Sequence, residues 1–403
     1  MMRATIVLLS LLFNSLLLCA QNLEFQDLAN MGLARGGVSA TENGNHIYVS
    51  NGFSQNEFET SLVEKYNITT NSWSILTNAT IAKKWASSEI VGDYLYIING
   101  DYFNGQRLYN NKVEKINTTT GAITYGANNP HPARSSGSAV LGNKIYIFGG
   151  RSASSTFSNK LLSYDTSTDT WTVLADMPVA KETAGEIVNG KLYVIGGFNE
   201  TSSNQVNIYD IESNTWSNTS ITLPVSISAH ATTVVGNNIW IIGDHQDETF
   251  IGYFDTVTNQ LVEVENNMIP RRHAGAVVVN GKLYVMGGNQ HKEGETQSPL
   301  LSTSLASLQS ANIPEVLSVD DQLVDGQISV YPNPFVDKVN VVLSENRRGN
   351  YEYHITDIFG KFLKRGRTDI NGEIVLSELK SGNYVLKLIG ANGEVIRKKV
   401  IKL

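Results

Sequence analysis

The chain has 403 residues, of which 41% are apolar and 17% charged, so it can bury large cores and is not a disordered protein. Its formal charge of −7 argues against a general nucleic-acid binder, whose surface must be basic to meet phosphates. From Asp325 onward, 13 Lys and Arg stand against 9 Asp and Glu, a balance of +4 that leaves −11 on the preceding residues. The C-terminal part is therefore electrostatically distinct from the rest.

The first twenty residues predict a secretory signal peptide. An early cation precedes an apolar run from Ile6 to Leu18, and the small residue Ala20 marks the expected cleavage site. The run is too short for a transmembrane helix, and no other stretch comes close. Lipidation at Cys19 is the alternative, although lipoprotein processing requires a small residue where Leu18 stands. Cleavage after Ala20 leaves a mature chain without cysteine, which excludes disulfides, thiol catalysis and thiolate metal sites.

A unit with a period of 44 to 50 residues recurs six times between residues 22 and 310. Each copy has an apolar strand, a polar turn and a second apolar strand that ends in Gly-Gly or a variant of it. The second strands begin at Ile47, Leu95, Ile145, Leu192, Ile239 and Leu283. Continuous apolar strands are typical of sheets that are buried on both faces.

Each unit continues into a third and a fourth strand that carry large side chains at a fixed distance. A Tyr is followed seven residues later by a Trp in three units, and two further units keep the spacing with other residues. The pairs are Tyr66 and Trp73, Tyr164 and Trp171, Tyr209 and Trp216, Ile116 and Ile123, and Tyr253 and Gln260. The polar residues between the members of a pair predict a tight hairpin.

These repeated features resemble the kelch-repeat family over roughly residues 22–310. The resemblance implies a β-propeller, in which each four-stranded blade is stabilised by neighbours that cover its two faces. The predicted fold class is all-β, with a six-bladed kelch-type β-propeller over residues 21–311.

The sixth unit lacks a fourth strand at its C-terminal end, and the N-terminal residues can supply it. Residues 25–35 line up with residues 171–181, so Phe25 stands where Trp171 stands in its own unit. We therefore expect the N-terminal strand to form the outer strand of the last blade and to close the ring.

A second unit follows a predicted linker, residues 312–326. Short alternating strands, separated by turns such as Asn392-Gly393, predict a small antiparallel β-sandwich over residues 327–403. The Tyr331-Pro-Asn-Pro334 segment and the basic end of the chain resemble the C-terminal sorting domain of the type IX secretion pathway of Bacteroidota. The resemblance implies contact with that secretion machinery and a secreted or outer-membrane cell-surface location. An ordinary adhesive sandwich is the alternative.

Aligning the six units on their second strands predicts a basic channel mouth. Five of the six equivalent positions hold a cation, Arg35 with an allowance of one residue, and Ser228 occupies the sixth. The five are Arg35, Lys84, Arg134, Lys181 and Arg272. Each could instead pair with a nearby carboxylate or backbone group. Together they predict an anion site on an otherwise acidic body.

Loops on the same face add Arg151 and several aromatic rings. Trp85, Tyr102 and Phe103 belong to one unit and form the preferred cluster. The other loop aromatics are Phe53, Phe58, Phe157 and Phe198. Rings beside guanidinium groups suit sugars that carry carboxylates, or acidic peptides. Packing within the loops is the alternative for each ring.

An enzymatic site has weaker support in the sequence. His230, His273 and Glu182 lie near equivalent positions and could serve acid–base chemistry, but no motif joins them. No His pair has metal-ligand spacing, and copper-radical oxidases built on kelch-like propellers need a cysteine that the mature chain lacks. We therefore predict no catalytic residue, metal or cofactor.

The sequence thus predicts a secreted or cell-surface binding protein whose partner is an acidic glycan or an acidic peptide or protein. The alternative is a sugar-processing enzyme, because bacterial sialic-acid mutarotase is a similar secreted six-bladed kelch ring with a basic mouth. A scaffold without a small-molecule site is the third reading.

Overall fold

The computed structural model describes residues 22–54, 59–153, 156–218, 221–291, 303–313, 328–343, 351–357, 362–368, 372–389 and 395–402. Over these residues the chain is all-β, with strands, turns and loops and no helix. Accordingly, the described part contains no helix that could cross a membrane. The predicted signal peptide, nearly all of the predicted linker and Phe58 lie outside the described residues.

Within the described part of residues 22–313, six sheets have four main strands each, and we number them by chain order of the strand at their inner edge. Sheet 1 comprises Ser39–Glu42, His46–Ser50, Val63–Asn67 and Ser72–Thr77. Sheet 2 comprises Ser87–Val91, Tyr94–Ile98, Val113–Asn117 and Ile123–Gly126. Sheet 3 comprises Gly137–Leu141, Lys144–Phe148, Leu161–Asp165 and Thr170–Val173.

Sheet 4 comprises Glu182–Val188, Lys191–Asn199, Thr201–Asp210 and Thr215–Trp216, and Ile221–Ile227 also pairs with its third strand. Sheet 5 comprises Ala231–Val235, Asn238–Ile242, Ile251–Asp255 and Gln260–Glu263. Sheet 6 comprises Gly275–Val279, Lys282–Met286, Leu308–Asn312 and the N-terminal strand Gln26–Asp27.

Four short strand pairs accompany the sheets. They are Asn22–Leu23 with Glu265–Asn266, Asp101–Phe103 with Arg107–Tyr109, Arg151–Ala153 with Thr156–Phe157, and Asn289–Gln290 with Thr303–Ser304.

The hydrophobic cores lie between the sheets, as the apolar second strands require. One buried cluster joins each sheet to the next, for example Tyr48 of sheet 1 with Leu95 and Ile97 of sheet 2. A further cluster packs Val277 and Met286 of sheet 6 against strands of sheet 1. Each sheet therefore buries both of its faces.

The Tyr and Trp pairs also connect neighbouring sheets. The two rings lie side by side, with centroids 4.9 Å apart for Tyr164 and Trp171. The indole Nε1 of Trp171 donates a hydrogen bond of 2.9 Å to the carbonyl oxygen of Ala127, which follows the outer strand of sheet 2. Trp73 and Trp216 make the same bond to Ala29 and Ala175. The seven-residue spacing thus keeps an inter-sheet contact in register.

The N-terminal strand occupies the outer edge of sheet 6. Gln26 pairs with Ser310 and Asp27 with Gln309, and the main chain of Leu28 continues the contact to Leu308. Phe25 precedes this strand and is buried against residues of sheets 5 and 6.

The C-terminal part has two sheets. One comprises Ile328–Tyr331, Lys338–Leu343 and Glu373–Val375, and the other comprises Phe362–Arg367, Glu352–Asp357, Gly382–Ile389 and Val395–Lys402. Alternating side chains of both sheets, such as Val339, Ile355 and Leu386, form one buried cluster. This pattern is typical of a small sandwich core.

Candidate functional site

A cavity of about 960 Å³ lies among the innermost strands, and residues from all six sheets line it. The innermost strand of each sheet lies beside that of the next, and the strand of sheet 6 lies beside that of sheet 1. We call this cavity the channel.

Main-chain hydrogen bonds link consecutive sheets at one end of the channel. The residues involved, which we call the collar, are Gly37, Trp85, Ser135, Thr183, Ala229 and His273. Five hydrogen bonds of 2.8 to 3.4 Å connect them. In each, the N–H of one collar residue donates to the carbonyl oxygen of the collar residue on the preceding sheet, and for Gly37 of sheet 1 that residue is His273 of sheet 6. All collar residues except Thr183 have a positive φ of 51° to 60°, a conformation that is uncommon for residues other than glycine.

The residue before each collar residue occupies the mouth position. Lys84, Arg134 and Arg272 hold this position in sheets 2, 3 and 6, and each pairs with the residue that follows the second glycine of its sheet. The other three mouth residues are Gly36, Glu182 and Ser228. A Cβ atom at Gly150 would lie 2.6 Å from the carbonyl oxygen of Arg134, which explains why the strand must end in glycine.

The predicted placement of Arg35 and Lys181 at the mouth is wrong. Both lie one position earlier, they are buried between strands, and they do not line the channel. The Arg35 Nη2 atom lies 3.0 Å from Glu64 Oε2, and Lys181 Nζ donates a hydrogen bond of 3.0 Å to Asn207 Oδ1. For Lys181 the alignment failed because sheet 4 has one residue fewer between Glu182 and its regular strand pairing, where the register shifts. For Arg35 the allowance of one residue was the error, because Gly36 holds the mouth position of sheet 1.

Arg35 and Lys181 belong to a set of buried positions that the sequence reasoning missed. Lys83 pairs with Glu114 in sheet 2, and Arg271 donates to Gln309 in sheet 6. Sheets 3 and 5 have apolar or small residues at both positions, Ala133 with Leu162 and Ile227 with Gly252. The polar partner, which is Asn207 in sheet 4 and the second residue of the third strand in sheets 1, 2 and 6, therefore occurs only where the first position is a cation. That covariation was readable in the sequence.

Arg134 and Arg151 form the most exposed cationic pair at the mouth. Arg134 Nη2 lies 3.4 Å and Arg151 Nε 3.6 Å from the same oxygen, Glu182 Oε1. The Arg134 guanidinium stacks 4.5 Å from the centroid of Trp85, and that of Arg151 lies 4.2 Å from Phe157. The buried Nε of Arg134 has no hydrogen-bond partner among the described residues. Two guanidinium groups thus share one carboxylate.

Arg272 lies in a different environment. Its Nη1 atom donates to His245 Nδ1 at 2.7 Å and to His291 Nε2 at 2.5 Å. His291 Nδ1 in turn donates to Glu248 Oε1 at 2.7 Å, because its other ring nitrogen accepts from the arginine. Burial, followed by the charge of Arg272, lowers the pKa of His245. Protein groups therefore occupy Nη1 of Arg272, and its Nε lies 3.7 Å from Glu248 Oε1.

The predicted aromatic cluster is not assembled. Trp85 lines the channel and contacts Phe53 and His273. Tyr102 and Phe103 lie on a separate short hairpin and do not line it, and Phe103 is 65% exposed. Lys84 is buried in an ion pair with Glu59 and likewise does not line the channel. The sequence could not show these distances because the loop carboxylates come from outside the repeat pattern.

Two carboxyl groups lie deeper in the channel. Glu89 of sheet 2 accepts a 2.6 Å hydrogen bond from Ser138, and burial raises its pKa to about 7. Burial, and then the charge of Glu89, raises the pKa of Glu186 of sheet 4 to about 8. Neither has a cationic partner among the described residues. Within the same described part, no group of three or more His, Cys, Asp or Glu side chains could hold a metal ion.

Two channel histidines differ in their hydrogen bonds. His273 Nδ1 lies 2.9 Å from Asn289 Oδ1, and burial lowers its pKa to about 3. His230 has both ring nitrogens buried, and burial outweighs the nearby Asp244 carboxylate and the Ile195 backbone in lowering its pKa to about 4. Both rings are therefore neutral at neutral pH.

Comparison with known proteins agrees with this architecture. The KLHDC2/KLHL20/DRC7 Kelch-repeats domain matches residues 37–244, slightly more than half of the chain, and the Kelch motif matches residues 270–299. Kelch-like protein terF of Aspergillus terreus is 25% identical over 60% of this chain and 58% of its own length. Human Kelch-like protein 25 is 29% identical over 51% of this chain and 36% of its own. The chain thus spans less than two thirds of these relatives.

The Secretion system C-terminal sorting domain matches residues 329–402. This match covers both sheets of the C-terminal part. A sorting domain of this kind directs the protein to the type IX secretion machinery, and so to the cell surface or the medium. The chain therefore belongs to the kelch-repeat family, with a β-propeller fold, and is exported by its C-terminal sorting domain.

Proposed function

We propose that this chain is an extracellular interaction protein built on a six-bladed propeller that the N-terminal strand closes. Three contacts support closure: the pairing of Gln26 with Ser310, the cluster between sheets 6 and 1, and the collar bond from Gly37 to His273. Removal of residues 1–20 as a signal peptide belongs to the same proposal, since the sorting domain acts on exported proteins.

The ligand site of the proposed protein is the pair Arg134 and Arg151 at the channel mouth. The observation that carries this proposal is that the guanidinium groups of two channel-lining arginines approach one carboxylate oxygen, Glu182 Oε1, at 3.4 and 3.6 Å. The Nε–H of Arg134 is buried without a partner among the described residues, and an N–H in that state costs about 1 to 3 kcal/mol.

The partner of this site is an acidic glycan or an acidic peptide or protein. The aromatic faces of Trp85 and Phe198 line the channel beside the arginines, which suits a ligand with both an apolar and an anionic part. Carboxylates reduce the positive charge of the mouth. Glu59 lies within 4 Å of Lys84, Glu182 within 4 Å of the arginine pair, and Glu248 within 4 Å of Arg272. A local pair, not a cationic ring, is thus the proposed recognition element.

The pKa values of the channel groups do not separate binding from turnover. A general base works best when its pKa is near the working pH. Burial lowers the pKa of His230 and of His273 to about 4 and 3, but it raises the pKa of Glu89 and of Glu186 to about 7 and 8. Binding is the proposed function because the arginine pair carries it, and a sugar-processing activity with Glu89 or Glu186 as the base is the alternative.

The test is isothermal titration with two probes of equal charge, tetragalacturonate and N-acetyl-tetraglutamate amide, at low and at physiological salt. Arg134→Gln should weaken binding of at least one probe by about tenfold or more, the loss expected when a charged hydrogen bond is removed. Lys160→Gln is the matched control, because it removes one positive charge from an ion pair outside the channel. Binding should weaken as salt rises.

Absence of salt-sensitive binding to both probes would contradict the proposed site. Equal losses in Arg134→Gln and Lys160→Gln would also contradict it, because they would indicate an effect of net charge alone.

A further inference from the structure

Two histidines from different loops hold Arg272 at the channel mouth. Its Nη1 atom donates to His245 Nδ1 at 2.7 Å and to His291 Nε2 at 2.5 Å. The centroids of the two imidazole rings are 5.2 Å apart, and both rings present a nitrogen to the same guanidinium atom. The Arg272 side chain is only 3% exposed, although the residue lines the channel. The histidines therefore keep a channel-lining cation engaged within the protein.

Both contacts require neutral histidines. A guanidinium group can only donate, so each imidazole nitrogen that faces it must accept. A nitrogen that gains a proton becomes an N–H donor, and two positively charged donors then face each other at hydrogen-bond distance. Protonation of either ring therefore breaks its bond to Arg272.

The charges around His245 keep it neutral at neutral pH. Burial lowers its pKa from 6.5, and the charges of Arg272 and His291 lower it further. The carboxylates of Asp244 and Glu248 act in the opposite direction without offsetting this decrease. Glu248 also accepts from His291 Nδ1, the ring nitrogen that faces away from the arginine. The bond between His245 and the arginine is therefore intact at pH 7 and is lost only in acid, below pH 6.5.

Loss of these bonds changes the charge of the channel wall. It frees Nη1 of Arg272, and it adds the charge of an imidazolium ring at His245, which also lines the channel. His273 lies nearby but stays neutral, because burial lowers its pKa to about 3. Arg272 belongs to sheet 6 and Arg134 to sheet 3, and these sheets lie opposite each other in the order of the innermost strands. The released cations therefore face the arginine pair from another side of the channel.

We propose that Arg272, His245 and His291 form a second carboxylate subsite that protonation opens, so that the channel binds its acidic ligand more tightly at mildly acidic pH. This inference rests on the proposed function, in which Arg134 and Arg151 bind the ligand at neutral pH. At neutral pH the histidines accept from Arg272. In acid, the guanidinium and imidazolium groups donate to a second carboxylate of the same ligand.

The experiment is isothermal titration with tetragalacturonate at about pH 7.5 and at about pH 5, at constant ionic strength. Wild-type binding should be about tenfold or more tighter at the lower pH, the gain expected from a newly available charged hydrogen bond. The double variant His245→Gln/His291→Gln should lose most of this gain, because a glutamine oxygen accepts from Arg272 and takes up no proton in this range.

The matched control is His46→Gln/His131→Gln, which removes the same number of imidazole rings outside the channel and should keep the gain. Glu182 faces the arginine pair and its protonation also changes anion binding, but it is present in both double variants. The difference between the two double variants therefore reports on the histidines that contact Arg272.

Arg272→Gln separates the two subsites. At about pH 7.5 its affinity should stay within about threefold of the wild type, because Arg272 is engaged by the histidines there, and the gain at about pH 5 should be absent. If a variant lowers the melting temperature, side-chain nitrogen-15 resonances of the wild-type protein provide the second measurement. The signals of Arg272 and His245 should shift with the same midpoint of pH.

Three results would overturn the subsite while leaving the arginine pair intact. They are equal wild-type affinity at the two pH values, a gain that His245→Gln/His291→Gln retains in full, or an Arg272 resonance that does not move as His245 titrates. Absence of salt-sensitive binding at both pH values would instead overturn the proposed function and this inference with it.

Discussion

In sheets 1, 2, 4 and 6 a buried cation is matched by a polar partner on the third strand, and this match makes a residue-scale prediction. Replacing Lys83 by Ala leaves the Glu114 carboxylate buried without its ion-pair partner, which should cost about 3 to 5 kcal/mol in the free energy of unfolding. Adding Glu114→Leu copies the Ala133 and Leu162 combination of sheet 3 and should recover at least half of the loss. Urea unfolding of the single and double variants measures both values. A double variant as unstable as the single one would show that the apolar pair does not transfer between sheets.

At this scale the sequence predicted residue types better than residue roles. Arg134, Arg151, Arg272 and Trp85 line the channel, as expected of mouth residues. Arg35 does not, because a shift of one position along the chain moves a side chain from the channel to the interior between strands. The partners that neutralise the remaining cations, such as Glu59 and Glu248, lie in loops whose placement depends on the folded ring.

At the scale of elements, the strand Gln26–Asp27 should contribute strongly to stability although it is only two residues long. Phe25 is 6% exposed and packs in the cluster of sheets 5 and 6. Phe25→Ala should therefore lower the free energy of unfolding by about 3 to 5 kcal/mol, and deletion of residues 22–34 should unfold the ring cooperatively. Circular dichroism during thermal unfolding measures both effects.

Gln26→Ala provides the control for this strand, because Gln26 pairs through its main chain and its side chain is exposed. A deletion variant with the stability of the intact protein would contradict closure by the N-terminal strand.

Strand order within each repeat was predictable because the apolar period and the glycines recur in register. The strand Ile221–Ile227 was not predicted, and it pairs with the ten-residue strand Thr201–Asp210 beyond the four-stranded pattern. Likewise, Phe362–Arg367 in the C-terminal part was missed, since its alternation is interrupted by charged residues. In both cases pairing with a neighbouring strand, a tertiary effect, decides the structure.

At the scale of the whole molecule, the ring brings together carboxyl groups from sheets that are not neighbours in sequence. Glu186 has a pKa raised to about 8, against an ordinary value of 4.5. The folded protein therefore holds a proton that the unfolded chain releases, and this contribution to stability is present below about pH 4.5 and is lost as pH rises towards 8. At pH 8 to 9, Glu186→Gln should have a higher melting temperature than the wild type. The difference between the two melting temperatures should shrink as the pH falls by ~3 units towards pH 5.

Glu200→Gln is the control, since it makes the same change at an exposed position. Parallel loss of stability with pH in the wild type and in Glu186→Gln would exclude titration of this carboxyl as the cause.

The collar residues have two separate roles: their main-chain atoms hold neighbouring sheets together, and the same residues line the channel. Its bonds come from main-chain atoms, and they are made equally by Gly37, Trp85, Ser135 and His273, whose side chains share no chemistry. All four residues line the channel. Substitutions at the collar can therefore change the chemistry of the channel wall while the inter-sheet bonds persist, limited mainly by the tolerance of each residue for a positive φ. A propeller of this kind can acquire new ligand preferences during evolution while it keeps the hydrogen bonds between its sheets.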